Sequence, residues 1–351
     1  MEKLVLIDGH SILNRAFYGV PELTNSEGLH TNAVYGFLNI MFKILEEEKA
    51  DYLAVAFDLK EPTFRHKMFA DYKGTRKPMP EELREQVPLM KEVLTSMGVP
   101  ILTMAGYEAD DILGTVAKRS QAKGLEVSVV SGDRDLLQLA DTHIKIRIPK
   151  TSRKGTEIYD YYPEDVKREY QVTPREFIDV KALMGDSSDN IPGVPSIGEK
   201  TATSLITAYG SIENIKAHLD EVKPPRAKKA LEEHYDMAVM SKELALICLD
   251  CPIDFSWDEA RLTNLYTPEA YQYMKRLEFK SILTRFDVQS MGGASIEEKF
   301  WTVEELAGAE EVFERAEGAE IVGFQLIEGK DGAAGFASEK RRFTGFRYRA
   351  L

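Results

Sequence analysis

The sequence predicts an α/β fold built on a parallel sheet, followed by a helical region. Three observations carry the prediction. Short apolar segments at residues 4–7, 52–57 and 127–130 read as strands. Segments with apolar residues at helical spacing lie between them. These strands also run out into acids, at Asp8, Asp58 and Asp133. In a strand–helix–strand unit of a parallel sheet, each strand finishes at one shared carboxyl edge, where the next helix begins. One aspartate there is an ordinary turn residue. Three at the same edge are not accounted for by turns.

In chain order, residues 4–7 form the first strand, and residues 12–18 continue from Asp8 with Arg15, Phe17 and Tyr18. Thr31 is placed as the N-cap of a helix to Glu48, with Val34, Phe37, Leu38, Met41 and Leu45 on its inner face. The strand at 52–57 ends in Asp58. The character then reverses. Lys60, Arg65, Lys67, Lys73, Arg76 and Lys77 stand against Glu61 and Asp71, interleaved with Phe64, Phe69 and Tyr72. A helix here would pair Tyr72 with Arg76 and Lys73 with Lys77 at i, i+4. Such a surface offers phosphate contacts beside stacking platforms for unpaired bases; a solvated helix with snorkelling stems is the alternative. Pro78, Pro80 and Pro88 interrupt the segment, and a helix from 81 resumes to 97.

The stretch 105–139 organises the rest. After a strand at 101–104 come Glu108, Asp110 and Asp111, opening a helix with Ile112, Leu113, Val116 and Ala117 inward. Gly124 stops it, and the strand at 127–130 delivers Asp133 and Asp135. The topology brings all five acids to one crevice. Converging carboxylates repel one another and resist ionisation unless something neutralises them. Hard oxygen donors in that number suit Mg²⁺ or Mn²⁺; a solvated acidic rim is the plain alternative.

Two basic runs follow, at 145–154 and 223–229, each a loop face on its own and together a basic track. A helix at 176–184 leads to a loop with Asp186 and Asp189. The segment 191–202 superficially resembles a P-loop. Glu199 intervenes between Gly198 and Lys200, and no apolar strand precedes it, so that reading fails. A glycine-punctuated turn into a helix start still presents backbone N–H groups to a phosphate, with Lys200 one turn in. It would hold a duplex backbone without reading its sequence.

A formal net charge of −13 argues against indiscriminate nucleic-acid binding, so any such role rests on local patches. Cys248 and Cys251 lack the further ligands a zinc site needs and read as semi-buried thiols. The expectation is a cytoplasmic monomer with no signal peptide and no membrane span. Residues 286–299 read as a linker, 303–316 as a helix and 320–327 as a strand; the last twenty residues show no periodicity.

The strings LIDGHSILNRAFY, AVAFDLKEPTFRHKMFADYKGTRKPMPEEL, GYEADDILGT, SGDRDLLQL and MGDSSDNIPGVPSIGEKTA occur in that order. On these, residues 1–285 resemble the 5′-nuclease domain that begins bacterial DNA polymerase I, within the flap endonuclease superfamily. The resemblance implies a PIN-like, resolvase-like nuclease core over 1–172 with a helical arch at about 60–97. It implies a helix–hairpin–helix DNA-binding subdomain over 173–285, and a partial exonuclease-like domain or degenerate tail over 300–351. It also implies Mg²⁺-dependent 5′–3′ exonuclease and 5′-flap endonuclease action on flapped, nicked or branched DNA and on RNA primer ends. Asp8, Asp58, Glu108 and Asp110 would surround a first metal, with Asp111 between the two. Asp133, Asp135, Asp186 and Asp189 would hold a second, Mn²⁺ being the alternative ion. Lys73 and Arg76 match the basic pair of the arch, with Arg15, Tyr18, Arg65 and Tyr72 as DNA contacts. Gly193, Gly198, Lys200 and Thr201 match the duplex-gripping hairpin, often built with a K⁺ ion. Ser196 stands where the family more often has glycine. Two readings compete: a haloacid-dehalogenase-type phosphatase, from Asp133-Arg134-Asp135 after a strand, and a non-catalytic DNA-binding module.

Overall fold

The structure is a computed structural model that describes residues 1–152, 155–286, 301–303, 322–326 and 346–350. The chain divides into two units, Met1–Leu283 and Thr284–Leu351.

The first unit is built on a six-stranded sheet of β1 (Lys3–Asp8), β2 (Tyr52–Ala56), β3 (Ile101–Leu102), β4 (Glu126–Val130), β5 (Ile144–Ser152) and β6 (Gly155–Tyr161). Its order is β3-β2-β1-β4-β5-β6, with every pairing parallel except β5 with β6. Leu4, Val5, Leu6 and Ile7 are completely buried, which is why β1 is apolar without alternation: helices cover both faces. The register sets Asp8 opposite Ala56 and Ile7 opposite Val130. The three central strands therefore end level, and Asp8, Asp58 and Asp133 leave the sheet side by side.

Around the sheet lie α1 (Gly9–Gly19), α2 (Asn32–Glu48), α3 (Phe64–Met68), α4 (Glu81–Ser96), α5 (Ala109–Ala122) and α6 (Pro163–Tyr170). The helical region follows with α7 (Pro174–Met184), α8 (Glu199–Tyr209), α9 (Ile212–Ala217), α10 (Pro225–Ala245), α11 (Trp257–Ala260), α12 (Pro268–Arg276) and α13 (Lys280–Leu283). Here α7 packs against α8 and α10, carrying its C-terminal loop back to the sheet edge.

Two expectations are corrected. Residues 60–77 are not one helix: α3 stops at Phe69, and Lys73 adopts a left-handed φ of 56° while its N–H donates to the Asp189 carbonyl at 2.8 Å. The i, i+4 pairs expected there do not form. In the run 145–154, Lys145 and Arg147 are not part of a free basic face either, because β5 places both against acids. Glu48 lies 2.7 Å from Lys145 and 2.6 Å from Arg147, and Asp160 lies 2.7 Å from Arg147.

In the second unit, β7 (Trp301–Val303), β8 (Val322–Leu326) and β9 (Phe346–Ala350) form an antiparallel sheet in the order β7-β9-β8. The strand β8 lies within the expected 320–327, and β9 falls where no periodicity was legible. The expected linker and the expected helix past Val303 lie outside the described residues.

Candidate active site

Asp8 ends β1 and caps α1: one of its carboxylate oxygens accepts from the Ser11 N–H at 3.0 Å, the other from the Ser131 hydroxyl at 2.7 Å. Asp58, two residues beyond β2, accepts the Ala109 N–H at 2.7 Å and lies 3.4 Å from His10 Nδ1. Glu108 is the N-cap of α5, and Asp110 stands in its first turn. Asp133 caps the 3₁₀ turn Arg134–Leu139, accepting the Asp135 N–H at 2.9 Å. From the end of α7, Lys181 reaches Asp135 at 2.6 Å and also pairs with Asp186.

These groups share one cavity of about 970 Å³. Asp8, Asp58, Glu108, Asp110, Asp133, Asp135 and Asp186 all line it, as do Lys73, Arg76, Arg15 and Tyr18. Lys73 Nζ sits 2.9 Å from Glu108, and Arg76 pairs with Asp189. Tyr18 is 68% exposed at the rim. Arg15 is half-buried, and its Nε has no hydrogen-bond partner.

The carboxylates disturb one another as their crowding requires. Burial and the neighbouring Asp58 charge push Asp8 up to about 6, against the bonds from Ser11 and Ser131. Burial and the Asp133 charge raise Asp135 to about 7 despite Lys181. Burial, Asp8 and Asp133 hold Asp110 well above the carboxylate range. Asp58 and Asp186 go the other way, to about 2. Burial opposes this in both, but His10 and the Ala109 amide outweigh it at Asp58, and Lys181 and Ser188 at Asp186. Asp135 Oδ1 is buried and, beyond the Lys181 ion pair, receives no directed hydrogen bond. The donor set is all oxygen and short of positive charge, which fits a hard divalent cation. Among the described residues, no three Asp, Glu, His or Cys side chains already close around a common point. Lys73 and Lys181 supply cations among the acids instead.

Five expected site residues are placed elsewhere. Asp111 is wholly buried and does not line the cavity: both of its oxygens bind Arg65, and they also accept the Glu108 and Cys248 N–H groups. Arg65 is only 2% exposed, so it has no surface to offer DNA. Tyr72 is buried at 4%, with its hydroxyl 3.1 Å from Glu108 and 3.2 Å from Asp189, so it cannot stack a base. Asp189 lies outside the cavity lining, its oxygens taken by Arg76 and Tyr72, so it does not stand with the second group of acids. Gly193 is buried and its N–H donates to Ser241 Oγ at 3.0 Å, leaving nothing for a phosphate.

The rest of the hairpin is open. Gly198 is the N-cap of α8 and has no side chain to satisfy that helix's first amides. Lys200 is exposed and Thr201 half-buried in the same turn. Ser196 holds a φ of 68°, a conformation that favours glycine, and accepts a hydrogen bond from Arg226 at 3.0 Å.

Sequence reasoning missed Lys181 and Ser131. Lys181 carries no local signal, since a lysine in a last helical turn is ordinary. A serine between an apolar strand and Gly132-Asp133 was the one available hint.

Residues 3–171 match the 5′–3′ exonuclease N-terminal resolvase-like domain, and residues 172–267 match the 5′–3′ exonuclease C-terminal SAM fold. The chain belongs to the 5′–3′ exonuclease family. The chain is similar to DNA polymerase I of Bacillus caldotenax, 47% identical over 290 residues that make up 82% of this chain and 33% of that one. DNA polymerase I of Bacillus subtilis is 46% identical over the same shares. The chain thus spans about a third of the length of these curated relatives. Among solved structures, the 5′-exonuclease of bacteriophage T5 with bound zinc covers 83% of this chain and 99% of its own. It matches at a TM-score of 0.58 and 20% identity. The T5 flap endonuclease in a pseudo-enzyme–product complex with DNA and metal ions matches at 0.56 and 22%, with the same coverage. At these identities the likeness is one of fold. Among the described residues, no helix of this exonuclease-family chain is long and apolar enough to cross a membrane.

Proposed function

We propose that the first unit is a structure-specific 5′ nuclease, active with divalent ions and with Mg²⁺ as the working ion, that trims 5′ ends and cuts 5′ flaps. One observation supports this above the others. Seven acids from three adjacent strand ends, a helix start and the loop after α7 share a cavity with Lys73 and Arg76. Asp8, Asp58, Glu108 and Asp110 would hold one ion, and Asp133, Asp135 and Asp186 a second. Bound divalent ions supply a nucleophilic water at neutral pH and charge relief at the leaving 3′ oxygen.

The chain's own groups do the rest. Lys73 and Arg76 exchange their carboxylate partners for the scissile phosphate and neutralise its developing charge. Tyr18, exposed at the rim, stacks an unpaired base, and Arg15 takes a neighbouring phosphate. The amides at the start of α8, with Gly198, Lys200 and Thr201, hold the duplex by its backbone. The hairpin before α8 is the place assigned to a K⁺ ion. The cellular task assigned to the domain is removal of flaps and RNA primers in replication and repair, as the 5′-nuclease part of a DNA polymerase I.

A 5′-labelled flap substrate tests this directly. The parent protein should release a short 5′-phosphorylated product with Mg²⁺ and none with EDTA, and Asp133→Ala should bind the flap but not cut it. Binding without Mg²⁺-dependent cleavage by the parent would leave only a DNA-binding module.

A further inference from the structure

Ser131 is wholly buried at the junction between β4 and the turn that carries Asp133. Its N–H donates to the Arg147 carbonyl of β5 at 3.2 Å, so its position is set by the sheet and not by the cavity. From there its hydroxyl donates to Asp8 Oδ2 at 2.7 Å and accepts the Asp133 N–H at 3.0 Å. A hydroxyl has one proton to give, and here the carboxylate takes it. The other oxygen of Asp8 is held by the Ser11 N–H at 3.0 Å, while Ser11 Oγ accepts the Gly132 N–H at 2.8 Å. Asp8, Ser11, Gly132 and Ser131 thus close a ring of hydrogen bonds between β1 and β4. A Cβ at Gly132 would stand 2.8 Å from Arg15 Nη2 and 3.1 Å from Ser11 Oγ, so a larger residue there would displace the Arg15 head and crowd the ring.

The ring holds the Asp8 carboxylate of the first group and, through the N–H that Ser131 Oγ accepts, the main chain of Asp133 in the second. We infer that Ser131 is a positioning residue that fixes Asp8, of the first group, relative to Asp133, of the second, so that the two ion positions form a single unit. The inference rests on the functional reading above. Ser131 touches neither substrate nor reacting atoms; it acts through Asp8. Replacing it by alanine leaves a buried carboxylate oxygen without its donor and a backbone N–H without its acceptor. Partners of this kind, one bond removed from an ion, typically contribute 10- to 100-fold to affinity or turnover.

The test titrates Mn²⁺ calorimetrically into DNA-free parent, Ser131→Ala, Ser131→Thr and Ser11→Ala proteins. It also measures kcat and KM on a flap substrate, and melting in EDTA. Ser131→Ala should weaken Mn²⁺ binding by about 10- to 100-fold and lower kcat by a similar factor. KM should stay near the parent's, and the EDTA melting temperature should fall only by the modest amount two stranded buried partners cost, with the protein still folded at the assay temperature. Ser131→Thr, which keeps the hydroxyl, should recover most of the ion affinity. Unchanged Mn²⁺ binding by folded Ser131→Ala overturns the inference. So does a folded Ser131→Thr that fails to recover it, or a loss that follows melting temperature alone. Should Ser131→Ala not fold, Ser11→Ala decides: a smaller weakening in the same direction sustains the inference, and parent-like binding ends it. A parent that binds no divalent ion and cuts no DNA would remove the functional reading itself, whereas an active parent matched by Ser131→Ala removes only the ring's role.

Discussion

The two terminal nitrogens of Arg65 each lie 2.8 Å from an oxygen of Asp111, in a fully buried pair that does not line the acidic cavity. The guanidinium also donates to the Leu244 and Leu246 carbonyls, at 2.9 and 2.8 Å. Asp111 in turn accepts the Cys248 N–H at 2.9 Å. One ion pair therefore ties α3, the start of α5, the last turn of α10 and the segment that follows it together. Removing one partner of such a pair strands a buried charge, at about 3–5 kcal/mol. Arg65→Ala should lose about that much in urea unfolding. Asp111→Asn, where folded, should bind Mn²⁺ like the parent, whereas Asp133→Asn should not. Loss of ion binding in Asp111→Asn would return that residue to the ligand set.

Lys73 faces Glu108 at 2.9 Å and Asp189 at 3.8 Å, and against the burial that would lower its pKa these charges raise it, so it stays cationic. Lys73→Ala should reduce kcat on a flap by about 10²- to 10³-fold, with little change in DNA affinity. Single-turnover rates beside equilibrium binding would separate the two. An unaltered rate would remove Lys73 from the phosphate.

Stability without metal should depend on pH in an unusual sense. Asp8 at about 6, Asp135 at about 7 and Asp110 all ionise later in the folded than in the unfolded chain. The folded state therefore binds more protons across that window, and stability falls as pH rises through it. Asp58 and Asp186, at about 2, contribute stability that is lost only below the usual carboxylate range. Melting in EDTA should thus drop between about pH 5 and pH 7.5, and Mg²⁺ should remove the drop. A melting temperature that rises over this range in EDTA would contradict the crowding of these acids.

Lys200 at the start of α8 is exposed. Lys200→Ala should weaken duplex binding by a similar factor on every sequence and flatten the salt dependence of log K by about one unit of slope. Sequence-dependent loss in a titration series would show a base contact instead.

Much of the sheet edge was legible because its signal is local. An apolar run followed by Asp8, Asp58 or the Ser131-Gly132-Asp133 turn marks a strand end, and parallel topology then supplies the convergence. Contacts that decide burial across distant segments were not legible. Arg65 and Tyr72 sit in a basic–aromatic run that reads the same whether it faces solvent or core. Their partners, Asp111 and Asp189, lie 46 and 117 positions away. Counting acids likewise could not separate Asp111, which anchors the backbone, from Asp110 beside it, which lines the cavity. The helical spacing at 60–77 gave way because Asp189 draws the Lys73 N–H off the helical path.

The loop that carries Asp186 is closed on itself by paired backbone bonds with Ile191, at 2.9 and 2.8 Å, and the Val194 N–H returns to Leu183 at 2.8 Å. A Cβ on Gly185 would stand 2.5 Å from the Ile191 carbonyl oxygen, so the two sides of the loop are already in contact. On the function proposed above, this closed loop sets the distance between the cavity and the duplex-holding hairpin and would work as a ruler, the place where the double strand is clasped dictating which linkage is broken. One extra residue between Pro192 and Gly193 should displace the cleavage position along the strand before it abolishes cleavage, as sequencing-gel mapping of the products would reveal.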